Sequence, residues 1–162
     1  MALFTSAGII IAALDPTAAA NTVNNFLGYV QTGYYTNSLF HRVIPDFVIQ
    51  GGGFGPGLVP LPGLRDPIAI QSNNGLSNLR GSLAMARTSD PNSATSQFYF
   101  NLVDNPSLDY QSDVNPGYTV FGKIVQGLDV MDAIAAVPTT VVNGQPDVPV
   151  SDVVIQRAVR IQ

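Results

Sequence analysis

The sequence contains no cysteine. Neither a disulfide framework nor a thiolate nucleophile is therefore available, and a zinc site would have to rest on one histidine, His41, plus carboxylates; no metal is expected. Charge is scarce as well. Only 11% of residues are charged, and the seven Lys and Arg against eleven acidic residues leave a net charge of -4. The basic residues are nowhere clustered, which argues against nucleic acid and anionic membrane surfaces as partners, because both require a cationic patch to neutralise phosphates. The chain also lacks a long hydrophobic run. Its most apolar N-terminal stretch, AGIIIAAL, is too short to span a bilayer, and no Lys or Arg precedes it as a secretory signal requires. The expected compartment is thus the cytoplasm, or a periplasm reached by way of a signal since removed. Internal repeats, low-complexity tracts and linkers are missing too, so a single domain over 1–162 is expected.

What the chain has in quantity is apolar residues, 46% of the total, together with Asn, Gln, Ser and Thr. A globule of 162 residues buries about two-thirds or more of its unfolded surface around one core. Two segments read as helices. Asp15 and Pro16 form a capping carboxylate followed by proline at the first helical position, after which Val23, Phe26, Leu27 and Val30 recur at helical spacing until Gly33. LDVMDAIAAV, residues 128–137, lies between Gly127 and Pro138 and places Leu128, Met131, Ile134 and Ala135 on one face. Nearly everything else reads as short β segments: LFTSAGIIIAAL, NSLFHRVI, FVIQGG, PIAIQS, GSLAMAR, SQFYFNL, YTVFGKIV and DVVIQRAVRI. Their spacing leaves little room for crossover helices. The expected fold is therefore all-β, a closed eight-stranded antiparallel barrel capped by two α-helices. Bulky Phe, Ile and Val residues point to a filled interior, unlike that of a ligand-carrying barrel. The long loops GFGPGLVPLPGLRDP and DNPSLDYQSDVNPG are candidate walls of a binding groove.

The stretch NSLFHRVIPDFVIQGGGFGPG holds the only histidine, an arginine beside it and three consecutive glycines. Phosphate-loop chemistry does not fit. Gly52 and Gly57 have the Walker spacing, but Leu58 stands where the lysine is needed, and Pro56 occupies the last glycine of the dinucleotide pattern. The glycines are better read as permitting a bulge or a positive φ where a strand leaves the barrel. No G-x-S-x-G elbow exists for His41 to serve, and no acidic residue falls in a cleft strand with a second acid opposite.

FHRVIPDFVIQGGGF, followed by GSLAMAR, SQFYFN and YTVFGKIVQGLDVMD in that order, closely resembles the cyclophilin family of peptidyl-prolyl cis/trans isomerases over nearly the entire chain. The resemblance implies an isomerase of Xaa-Pro bonds that assists protein folding, without a cofactor. It would act on proline-containing peptides and unfolded chains, and a monomer is expected. Position by position it implies Arg42 and Gln50 as catalytic residues. Substrate contacts fall on His41, Phe47, Val48, Ala86, Arg87, Gln97, Tyr99, Leu108 and Tyr118, with Arg87 contributing through its backbone. Strand parity is compatible: Val48 and Gln50 share a face, as do Gln97 and Tyr99, while Phe98 and Phe100 point to the core. Phe47 has the opposite parity and would reach the groove from the strand's edge.

An arginine suits such a reaction. The rotational barrier of about 18 to 20 kcal/mol reflects lost amide resonance, and the twisted prolyl nitrogen regains a lone pair that a fixed donor stabilises more than either planar state. No proton moves, which leaves His41 an ordering role through hydrogen bonding. The chain departs from the best-known family pattern in Tyr99 for phenylalanine, Ser107 for tryptophan or phenylalanine, and Arg87 for asparagine. The Tyr99 hydroxyl needs a polar partner at the pocket wall. Serine at 107 removes an aromatic wall, so weak cyclosporin binding is expected. Tyr118, where many eukaryotic members have histidine, and the run DPNSATSQF give the sequence a bacterial appearance.

Overall fold

The computed structural model describes residues 1–161. Eight strands close into a barrel: β1 (Ala2–Thr5), β2 (Gly8–Leu14), β3 (Ser38–Ile44), β4 (Val48–Gly51), β5 (Ser82–Met85), β6 (Phe98–Asn101), β7 (Val120–Gln126) and β8 (Val154–Val159). Around the barrel they run β1-β8-β3-β4-β6-β5-β7-β2, every neighbouring pair antiparallel. Two short ribbons, Phe54–Gly55 with Val59–Pro60 and Thr139–Val142 with Gln145–Pro149, stand outside it.

The number of barrel strands agrees with the sequence reading, but their membership differs. LFTSAGIIIAAL is two strands, not one: the chain turns at Ser6 and Ala7 so that Thr5 pairs with Gly8, and the Thr5 hydroxyl donates to the Gly8 carbonyl at 2.7 Å. PIAIQS, by contrast, is no barrel strand. Apart from one bridge between Ile68 and Ala94, its amides go to side chains, Ile70 to Asn92 and Gln71 to Thr119.

Helix α1 spans Ala20–Gln31, later than the Asp15-Pro16 signal implied. Asp15 does cap, but it caps a preceding turn, its carboxylate accepting from the amides of Thr17 and Ala18. The helix itself is satisfied from elsewhere: Gln71 Oε1 accepts both the amide and the hydroxyl of Thr22 at 2.9 Å, which covers one of the orphan donors of the first turn. Helix α2 spans Leu128–Ala135 and buries Met131 and Ile134 completely, whereas Leu128, expected on the same face, is exposed.

Both helices feed one core. Phe26 of α1 meets Phe98 edge-on at 5.4 Å and Phe121 at 5.2 Å, while Leu3, Ile10, Phe40, Ile49, Leu83, Phe100, Met131 and Ile155 complete an interior packed without room for cargo.

Candidate active site

The outer face of β4, β5, β6 and β7 carries a second, smaller apolar cluster. Val48, Ala84, Tyr99 and Val120 are buried there, and Phe47, Leu76, Ala86, Leu108 and Tyr118 pack against them. Alternation explains the split, since Ile49, Leu83, Phe98 and Phe100 on the same strands point into the core. The cluster floors a cavity of about 120 Å³ lined by Arg42, Phe47, Val48, Gln50, Ala86, Arg87, Tyr99, Leu108 and Tyr118. Phe47 reaches it from the edge: it follows the turn at Asp46, which has φ +58°, and its carbonyl is held by the Leu102 amide. A wider open depression of about 840 Å³, lined by Asn73, Asn74, Asn92, Tyr110 and Asp113 among others, takes part of its wall from the loop 104–117 but contains none of the catalytic or substrate-contact residues expected from the sequence.

Arg42 owes its direction to a β-bulge. Phe40 pairs with Gly51 and Arg42 with Gln50, so His41 is an extra residue with no partner of its own on β4. Strict alternation would put Arg42 on the same side as Phe40. The bulge resets the register, so that Phe40 and Val43 both enter the core and Arg42 turns out to the cavity. Its Nη1 donates to Gln50 Oε1 at 3.3 Å, and Gln50 Nε2 donates to Gln97 Oε1 at 2.9 Å. Gln97 does not line the cavity; it orients the glutamine that orients the arginine. The glycine run serves this chain of contacts. Gly52 has φ +83°, and a Cβ on Gly53 would lie 2.6 Å from the Gln97 amide.

His41 is not brought to the cavity. Its ring packs on Phe54 with centroids 4.7 Å apart, it is 6% exposed, and Nδ1 has no hydrogen-bond partner among the described residues. The ordering role expected of it through hydrogen bonding is thus not seen at that nitrogen. Burial, and after it the adjacent Arg42 guanidinium, lower its pKa to about 4. The imidazole is consequently neutral at physiological pH, where it acts as an aromatic spacer in the bulge.

Tyr99 finds the polar partner that its hydroxyl demanded. It donates to Asn78 Oδ1 at 2.8 Å, and burial raises its pKa far out of the usual range for a phenol. Sequence reasoning missed the network to which this bond belongs. Asn101 donates to Asn78 at 3.1 Å and to Ser82 at 2.8 Å, while Asn105 donates to Asn101 at 2.8 Å and to the Phe47 carbonyl at 3.1 Å. The Asn78 amide and side chain both donate to Asp109. Asn78, Asn101 and Asn105 are all buried. Together they hold the turn Pro106–Leu108, and with it the Leu108 wall, against the barrel. Asn101 alternating with Phe98 and Phe100 was the available signal; that it meets Asn78, from a loop, was not legible.

Arg87 also differs from expectation. Its side chain, not its backbone alone, belongs to the site: the guanidinium lies over the Tyr118 ring, 4.5 Å from its centroid, and lines the cavity.

Comparison with known proteins agrees with this geometry. The profile of the family described as cyclophilin type peptidyl-prolyl cis-trans isomerase/CLD matches residues 1–160. The chain is 49% identical over 158 residues to peptidyl-prolyl cis-trans isomerase cyp18 of Streptomyces antibioticus, covering 96% of this chain and 95% of that protein. It is 46% identical over 154 residues to peptidyl-prolyl cis-trans isomerase B of Escherichia coli, covering 94% and 93%. Among solved structures, a Cryptosporidium parvum cyclophilin type isomerase crystallised in the presence of the dipeptide Ala-Pro superposes with a TM-score of 0.78 at 26% identity, covering 96% of this chain and 94% of that one. On sequence and barrel topology alike, the chain belongs to the cyclophilin-type peptidyl-prolyl cis-trans isomerases.

Proposed function

We propose that this chain interconverts cis and trans Xaa-Pro bonds in peptides and unfolded polypeptides, with the proline ring in the cavity floored by Val48 and Tyr99, and Arg42 donating to the prolyl nitrogen. The observation that carries the reading is the placement of a permanently charged donor, held by Gln50, at the rim of a cavity of about 120 Å³ whose walls include Phe47, Val48, Ala86 and Leu108. A planar amide nitrogen accepts hydrogen bonds poorly because its lone pair is delocalised, whereas the twisted one accepts well, so the bond to Arg42 matures only at the transition state. Gln50 and Gln97 fix the guanidinium beforehand, which spares its reorganisation during the rotation. Because no bond is made or broken, the reaction calls for no cofactor and no proton donor.

The related structure obtained with Ala-Pro supports a proline-containing peptide as ligand. The chain is proposed to act as one domain and as a monomer, consistent with a barrel whose strands are closed on one another and leave no free edge. Magnetisation-exchange NMR on a short Ala-Pro peptide tests the activity. Exchange between cis and trans faster than the spontaneous tens to hundreds of seconds, dependent on enzyme concentration, is expected. Binding without acceleration would reduce the chain to a proline-peptide binding module.

A further inference from the structure

We infer that the Arg87 side chain is a positioning residue, a latch that holds two walls of the proline pocket together; the pocket role rests on the isomerase reading above. Arg87 follows Met85 and Ala86, where β5 leaves the barrel. Nε and Nη2 both donate to the Gly117 carbonyl, at 3.0 and 2.8 Å, and Nη1 donates to the Thr88 carbonyl at 2.8 Å. Three donors of a rigid fork are thus engaged while its face rests on Tyr118.

What this fork grips is the closure point of an exposed loop. Gly117 is buried with φ +60°, and a Cβ there would lie 2.5 Å from the Leu108 and Asp109 carbonyl oxygens, so its backbone is pressed directly on theirs. The Tyr118 amide donates to the Leu108 carbonyl at 2.9 Å. Leu108 and Tyr118, which enter and leave the loop, are both pocket walls. Beyond this base the loop is held by its own turn, Asn115 donating to the Ser112 carbonyl, and its tip residue Val114 is 94% exposed. The base has two side-chain ties, Asp109 to Asn78 and Gly117 to Arg87.

Removing Arg87 leaves a buried carbonyl without its donors and frees the Tyr118 ring, so the pocket loses definition before any substrate arrives. That loss falls on binding, whereas the donor at the twisted nitrogen, Arg42, is untouched. The expected signature of Arg87→Ala is a kcat/KM lowered by about tenfold, carried mainly by KM, as for an anchor that serves ground and transition state alike. Arg87→Lys keeps the charge over Tyr118 but not the fork, and recovers only part of the loss.

Both variants and the natural protein should be compared by steady-state isomerase kinetics on the Ala-Pro peptide and by amide hydrogen exchange. In Arg87→Ala the Tyr118 amide is expected to exchange faster while the amides of β4 and β6 keep their protection. Unchanged KM with an unchanged Tyr118 amide, or a fall in kcat at constant KM, overturns the inference. If the natural protein shows no isomerase activity, the functional reading fails by itself, and the Tyr118 amide alone decides whether Arg87 is a latch.

Discussion

Acidification is expected to destabilise this fold through His41. The imidazole sits in the β3 bulge at 6% exposure, against Phe54 and beside Arg42, with Nδ1 unpartnered among the described residues. Burial first and the guanidinium second hold its pKa at about 4, against 6.5 in an open chain. Between those values the unfolded chain binds a proton that the folded one refuses. The contribution of His41 to stability is therefore fully present above about pH 6.5, falls as the pH drops, and levels off below about 4. A gap of about 2.5 pH units at about 1.4 kcal/mol each amounts to about 3 kcal/mol, a large part of the roughly 5 to 15 kcal/mol that holds a typical domain folded. Urea unfolding at pH 7.5, 6, 5 and 4 should be run on the natural protein and on His41→Phe, which keeps a ring against Phe54 but has no proton to accept. Carboxylates titrate in both proteins and cancel in the difference. The natural protein should lose about 3 kcal/mol relative to the variant across the series, with the m-value unchanged. Parallel curves, or a histidine Cε1–H resonance titrating near 6.5 in the folded protein, would show the reasoning to be wrong.

Isomerase activity, by contrast, should be nearly flat between about pH 6 and 8, because His41 stays neutral and amide rotation transfers no proton; a bell-shaped profile abolished by His41→Phe would make the histidine a participant. Arg42→Ala should lower kcat by roughly 10²- to 10³-fold with little change in the unfolding midpoint, since the half-buried side chain gives up one long bond to Gln50; a folded variant with an undiminished rate sinks the proposed mechanism. Tyr99→Phe should cost about 1 kcal/mol, but Asn78→Ala about 2 to 4 kcal/mol, because it strands the buried Tyr99 hydroxyl and strips Asp109 of a donor; equal costs by denaturant unfolding would mean that the network does not act as a unit. Ser107 is exposed on the turn beside Leu108, so the weak cyclosporin binding expected from the sequence should strengthen by about tenfold or more in Ser107→Trp; inhibition titrations showing no gain would place the drug's contact elsewhere.

The barrel and its pocket were legible in unequal measure. Alternation along FVIQ and QFYF correctly divided core from groove, putting Ile49, Phe98 and Phe100 inside and Val48 and Tyr99 outside. The same rule fails at Phe40-His41-Arg42-Val43, where core residues three apart require an extra residue in the strand, and that irregular spacing was the one local sign of the bulge. PIAIQS resembled a strand by composition alone; its actual work, with Gln71 capping α1 and Gln71 bound to Thr119, depends on partners roughly 50 residues away. Leu128 matched the helical stripe yet remained exposed, because α2 meets the core chiefly through Met131 and Ile134.

The sequence by itself determined the fold class, the division of the strands into a core face and an outer face, and the family, because each follows from short-range periodicity or from motifs long enough to resist chance. Tertiary structure alone decided how those groups are held: the bulge that aims Arg42, the Gln50–Gln97 relay, the Asn78 network under Tyr99 and the Arg87 grip on Gly117. The Tyr99–Asn78, Arg87–Gly117 and Gln50–Gln97 bonds join residues 21, 30 and 47 positions apart. Polar side chains become specific only when folding removes water and leaves each with one partner within reach, and no local pattern in the chain encodes which partner that will be.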